Sequence, residues 1–241
     1  MGEYLLPFLL LMAHFITGGL SLIRINRRLD RGEVKKQWTK YGVYLLLVIL
    51  FWCCMVWFDS IFPYIGWGVI LVASVEWWRT VKVMKRRGWL TLAFLLIAGG
   101  FLRFLYLDKN WLLYTYFVVV LFDGSCQIAG QLVGKRPLLP RISPRKTMEG
   151  LAGGAVITLA TTLLTRGSFS FGWGGLILTT CLIMTAAFMG DLLASAIKRD
   201  AGVSVFGRAV PGHGGVIDRF DSLMMAGAVI CLLLLIQQFI K

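Results

Sequence analysis

"GVIDRFDSLMMAGAVICLLLLIQQFI", Gly215 to Ile240, changes character part-way along. Asp218, Arg219 and Asp221 crowd its start, and from Leu223 to Ile240 there is no charged residue at all. An apolar run close to the roughly 20 residues that cross a bilayer reads as a membrane helix. Its threshold carries carboxylates, which is an expensive place for them unless they do something.

The run has company. Further apolar runs recur at about 4–23, 41–58, 62–78, 89–107, 111–130, 149–165 and 173–197, with the last at 217–240. Of the 241 residues, 58% are hydrophobic and 15% are charged, more apolar side chain than one soluble core of this size could hide. The expected fold is all-α: a polytopic integral membrane protein with about eight transmembrane helices. The first run begins with Glu3 and is followed, not preceded, by basic residues, so it reads as a retained span and not as a cleaved signal peptide.

The net charge of +13 raises the question of nucleic acid, and its distribution excludes it. Of 25 Lys and Arg, 21 fall in the alternate connections 24–40, 79–88, 131–148 and 198–219. By the positive-inside rule these four are cytoplasmic and both termini lie outside. The tryptophans Trp38, Trp57, Trp67, Trp77, Trp78 and Trp89 sit near span ends, as interfacial residues do. Cys53, Cys54, Cys126, Cys181 and Cys231 all lie in apolar segments without ligand spacing and read as packing residues.

No internal repeat or linker divides the chain, which reads as one integral unit with two unlike parts. Residues 1–110 are N-terminal membrane helices joined by plain basic connections, the segment 24–40 among them. Residues 111–241 carry the chemistry: Asp123, Glu149, Asp191, Asp200, Asp218 and Asp221 are half of the chain's twelve carboxylates. Asp123 and Asp191 fall inside spans, where an acid ordinarily faces a cavity, a cation or a basic partner.

Within "GDLLASAIKRDAGVSVFGRAVPGHGGVIDRFDS", Gly190 to Ser222, one helix delivers Asp191, Ser195, Lys198 and Arg199 to its end. A glycine-broken loop follows, and the next helix opens with Asp218, Arg219 and Asp221. Residues three apart share a helix face, so Asp218 and Asp221 point the same way and call for a positive partner. Oxygen ligands with phosphate as co-ligand suit Mg2+ better than zinc, since His213 has no His or Cys companion. Arg219, Lys198 and Arg199 are suited to neutralising phosphate oxygens, and Gly212, Gly214 and Gly215 to offering backbone N–H groups to an anion. For His213 three roles stay open: an orienting ligand, a proton-transfer group or a structural cap. On the same side, "GKRPLLPRISPRKTMEG" is stiffened by Pro137, Pro140 and Pro144 and loaded with Arg145, Lys146 and three further cations. It reads as a phosphate clamp or headgroup guide, with Thr147 and Glu149 starting the next helix.

Ser195, Lys198 and Arg199, followed by Pro211, His213, Gly214, Gly215, Asp218, Arg219 and Asp221, resemble the signature of the phosphatidate cytidylyltransferase family. Asp123, the Gly134–Lys135 pair and "ISPRKTMEG" resemble its upstream segment. The likeness is specific over about 120–222. It implies CMP transfer from CTP to phosphatidate, giving CDP-diacylglycerol and pyrophosphate at the cytoplasmic face of a bacterial membrane. It further implies Mg2+, alone or with a second metal ion, on Asp218, Asp221, Asp191 and Asp123. Catalytic roles fall to Asp218, Asp221, Lys198, Arg199 and His213, and substrate contacts to Ser195, Arg219, Gly214, Gly215, Arg145 and Lys146. A homodimer is implied as well. The chain departs from the pattern at Ser204 and Val205, where a Lys-Asp pair is expected, and at Ala194, where a Glu is expected. Two rivals stay open: the same transfer to a different lipid phosphate, and a non-catalytic relative that binds anionic lipid.

Overall fold

The computed structural model describes residues 2–27, 30–82, 84, 87–169, 172–209 and 214–240. Of the described residues 82% are helical, and each of the eight apolar runs becomes a helix. These are α1 (Leu5–Asn26), α2 (Arg31–Trp57), α3 (Phe62–Val81), α4 (Arg87–Phe104), α5 (Lys109–Val133), α6 (Met148–Leu164), α7 (Trp173–Asp200) and α8 (Ile217–Ile240). Six of them, α1, α2, α4, α5, α7 and α8, are long and apolar enough to cross a bilayer. α3 carries Glu76 and Arg79 near its end, and α6 has 17 residues, so these two fall short of that measure.

Two local elements differ from the sequence reading. The basic segment 24–40 is helical from Arg31 onwards. Asp30 starts it, with Oδ1 accepting the Glu33 N–H at 3.1 Å and its carbonyl accepting Val34 N–H at 3.0 Å. The proline-stiffened basic loop contains a short antiparallel hairpin, β1 (Pro137–Leu139) and β2 (Ser143–Thr147), with Pro137 opposite Thr147 and Leu139 opposite Ser143. A two-stranded ladder leaves every residue on an edge, so it tolerates prolines that a central strand would reject. As read from sequence, Thr147 then caps α6, its Oγ1 accepting Gly150 N–H at 3.1 Å. Glu149 Oε2 accepts the N–H groups of Lys135 and Arg136 at 3.0 and 3.1 Å, tying the entrance of the hairpin to α6.

Two compact units form, and each draws on both 1–110 and 111–241. The first comprises residues 1–53 and 116–181. Its α1 and α2 meet through the buried Phe15, whose ring lies 6.0 Å from Tyr41 and 5.6 Å from Tyr44. The Tyr41 hydroxyl donates to the Phe15 carbonyl. α6 lies backbone-close to α5, since a Cβ at Gly150 would stand 2.8 Å from the Cys126 carbonyl oxygen. Small residues permit such approaches where no hydrophobic gain drives helices together in lipid.

The second unit comprises residues 54–115 and 182–241. Here α4 and α8 touch along their length: a Cβ at Gly100 would meet Ala228 Cβ at 2.8 Å, and one at Gly227 would meet Phe104 Cδ1 at 2.7 Å. Trp77 of α3 stacks on Phe94 of α4 at 4.6 Å between ring centroids. Leu71, Leu95, Leu96 and Phe239 of this unit are exposed, as outward-facing side chains of membrane helices are.

Candidate active site

The described residues of the C-terminal signature fall in the second unit, and a glycine brings their two helices together. At Gly190 a Cβ would stand 2.6 Å from the Asp221 carbonyl oxygen and 2.7 Å from Met225 Cβ, so α7 and α8 touch there at backbone distance. Asp191 is the next residue along α7, which brings two acids of different helices to one level. One turn on, Ser195 Oγ donates to Asp191 Oδ1 at 3.3 Å.

α7 ends in a tight C-terminal turn. Gly202 takes φ +69°, Gly202 N–H donates to the Arg199 carbonyl at 3.1 Å and Val203 N–H to the Lys198 carbonyl at 2.9 Å. Only a residue without a Cβ adopts that φ freely. Lys198 and Arg199 therefore sit in the last turn, where the helix dipole favours cations. Lys198 turns inward, while Arg199 and Asp200 are exposed. Ser204 and Val205, where the resemblance leads one to expect a cation and an acid, are exposed too.

Asp218 is held by three donors. Its Oδ1 lies 2.7 Å from Lys198 Nζ, and its Oδ2 accepts the N–H groups of Phe206 and Gly215, both at 2.9 Å. The Lys198 ammonium also stands 5.5 Å from the Phe206 ring centre. Beside them, Glu76 of α3 accepts Val216 N–H on Oε1 at 3.0 Å and Ile217 N–H on Oε2 at 3.1 Å. The backbone donor of Gly215, which the sequence offers to a phosphate, and those of Val216 and Ile217 are thus taken by the chain's own carboxylates, and Gly212 lies outside the described residues. Gly214 adopts φ +90° to make the turn.

Asp221 faces differently from Asp218. It is half-buried, its Oδ1 accepts Ser222 N–H at 2.8 Å, and among the described residues it is the one charged side chain lining a small open cleft. Trp77, Phe94, Ala194, Phe206 and Met224 give that cleft apolar walls. With Ala194 where a Glu is expected, no second carboxylate joins Asp221 in the cleft among the described residues. Arg219 is exposed at the same helix start.

Asp123, Arg145 and Lys146 belong to the other unit. Asp123 and Lys146 are half-buried, and Arg145 is exposed on β2. His213 lies outside the described residues, as does Pro211. Among the described residues, no three of His, Cys, Asp and Glu form a metal cage by themselves. Mg2+ rarely asks for one, since one or two carboxylates with waters and phosphate oxygens complete its shell.

Two polar residues escaped the sequence reading. Glu76 was legible as an acid inside the 62–78 run, by the same argument that singled out Asp123. His14 of α1 lines a cleft of the first unit with Tyr41, Tyr44, Gln127 and Gln131, and it abuts Gly124.

Residues 4–237 match the cytidylyltransferase family. The chain belongs to that family. Three similar proteins are each named phosphatidate cytidylyltransferase. One, from Staphylococcus saprophyticus, is 37% identical over 167 residues, covering 65% of this chain and 64% of that protein. A second, from Staphylococcus epidermidis, is 32% identical over 178 residues, covering 70% of this chain and 68% of that protein. The third, from Mycobacterium leprae, is 43% identical over 114 residues, covering 46% of this chain and 36% of that protein. In two of these three the match spans less than two thirds of the relative's own length. The chain is thus a member of the cytidylyltransferase family with several helices long and apolar enough to cross a membrane.

Proposed function

We propose that this chain transfers CMP from CTP to phosphatidate, forming CDP-diacylglycerol and releasing pyrophosphate. The observation that carries the reading is the touch of α7 and α8 at Gly190, beside the Asp191–Ser195 pair, with Lys198 paired to Asp218 and Asp221 lining an apolar cleft at the start of α8. Such a place serves a substrate with an anionic head and an apolar tail.

In the reaction a phosphate oxygen of the lipid attacks the α-phosphorus of CTP. The new P–O bond forms as the bond to the bridging oxygen of the pyrophosphate breaks, with negative charge growing on the leaving group. Lys198 is fixed in place by its pair with Asp218 and keeps further ammonium N–H donors for a phosphate oxygen. Arg199 and Arg219, exposed at the two helix ends, supply cations toward the water from which CTP arrives. Arg145 and Lys146 on the hairpin serve as a headgroup guide.

The residues suit Mg2+. Asp221 and Asp191 would hold it, and Asp218, whose Oδ1 faces Lys198 and whose Oδ2 takes two loop amides, would join them only on releasing one of those partners; the bound ion would supply neutralisation of nucleotide phosphate charge. The basic connections support a cytoplasmic site, and the resemblance supports a homodimer, which cross-linking in the membrane tests. The function itself is tested with purified protein, labelled CTP, Mg2+ and a panel of lipid phosphates. Label is expected in the lipid product with phosphatidate. Transfer to another lipid phosphate alone would reassign the acceptor, and no transfer to any lipid by folded protein would overturn the reading.

A further inference from the structure

Glu76 lies 140 residues from the first amide it binds, and it is only 4% exposed. Its two oxygens divide the first donors of α8 between them, Val216 to Oε1 and Ile217 to Oε2, while the preceding N–H, from Gly215, goes to Asp218. A carboxylate at a helix start is favoured by the dipole, and its bonds to N–H are charge-assisted. Two glycines are fitted around it. A Cβ at Gly207 would stand 2.6 Å from Glu76 Cδ, and one at Gly215 would stand 2.7 Å from the same atom. Glu76 therefore fixes three things at once: the turn at Gly207, the turn at Gly214 and Gly215, and the height and rotation of the first turn of α8.

That turn carries Asp218 and Asp221. A slip of one residue in its register would rotate both acids about 100° around the helix axis. We propose that Glu76 is a positioning residue for the reaction: from α3 it sets the rotation of α8 so that Asp218 reaches Lys198 and Asp221 reaches the cleft. The proposal rests on the functional reading above for its catalytic consequence, and on the hydrogen bonds alone for its anchoring.

The test uses the full chain in lipid nanodiscs with the variant Glu76→Gln, which keeps the shape and loses one acceptor. Amide exchange over 214–220, Mn2+ affinity without substrates, and the Mg2+ concentration for half-maximal turnover are measured together. We expect exchange at Val216 and Ile217 to rise ~10-fold or more, the scale of one lost charge-assisted bond. Mn2+ affinity should weaken and the Mg2+ requirement rise by a similar factor, with KM for the lipid unchanged. Gly207→Ala, which crowds the same carboxylate from the other side, should reproduce the pattern and decides the matter should Glu76→Gln not insert. Thr80→Ala, which removes only a bond to the Glu76 main-chain carbonyl, should leave it native. Lower thermal stability with native amide exchange and native metal affinity would make Glu76 a packing residue and overturn the proposal. Should the native chain turn over no lipid phosphate, the functional reading fails, and amide exchange with Mn2+ affinity still decides the role of Glu76.

Discussion

Lys198 Nζ stands 2.7 Å from Asp218 Oδ1, with side chains 16% and 4% exposed, so the end of α7 and the start of α8 are joined by an ion pair largely shielded from water. Removing one partner of such a pair strands the other charge, a loss of about 3–5 kcal/mol in fully buried cases. Lys198→Met should therefore destabilise the protein strongly in thermal unfolding. Lys198→Met combined with Asp218→Asn should recover part of the loss, because no charge is then stranded. Equal unfolding temperatures for the single and double variants would contradict the pairing.

Gly190 is the contact point of α7 with α8. Gly190→Leu places a side chain where the Asp221 carbonyl and Met225 Cβ already stand, 2.6 and 2.7 Å from the new Cβ. Overpacking of this kind costs about 1–3 kcal/mol, and turnover should fall with it as Asp191 and Asp221 separate. Native stability and native turnover in this variant would show that the helices do not meet there.

Asp59, in the connection between α2 and α3, lies 3.1 Å from Lys109 Nζ. The hydrogen bond from Lys109 and its charge hold the Asp59 carboxyl below its ordinary value, with help from the Ser60 N–H. A depressed folded value means that any stability from the pair is present above the unfolded pKa of about 3.9 and is lost as pH falls through the folded value. Lys109→Met should return the Asp59 titration, followed by carboxyl carbon shifts, to the ordinary range. An unmoved titration would show that Lys109 is not the cause.

The apolar runs were legible because a bilayer enforces them: a span must be long, uncharged and internally hydrogen-bonded, and eight runs became eight helices. What surrounds the spans was less legible. Arg31 to Lys40 read as a basic connection because charge masked the Asp30 and Glu33 start signal, which the structure uses to begin α2 early. The segment from Pro137 to Thr147 folds as a hairpin because Glu149 gathers the amides of Lys135 and Arg136, a contact set by chain geometry that periodicity does not encode. At the site, spacing placed Asp218 and Asp221 on one helix face, and the structure gives them different partners. Asp218 turns to Lys198 and the loop amides, and Asp221 lines the cleft. Glu76 was missed because its partners are backbone groups far along the chain, which no local motif announces.

The proposed transfer requires Asp221 to hold a divalent cation beside the nucleotide phosphates, and exchanging the ligand atom tests this most directly. In Asp221→Cys a thiolate replaces a hard carboxylate, so the site should lose its preference for Mg2+ and accept a softer ion. The predicted result is turnover lowered about 100-fold or more with Mg2+, on the scale of removing one preorganised electrostatic group, and partly restored by Cd2+ or Mn2+ in folded, inserted protein. Near-native turnover with Mg2+ in this variant would contradict the account.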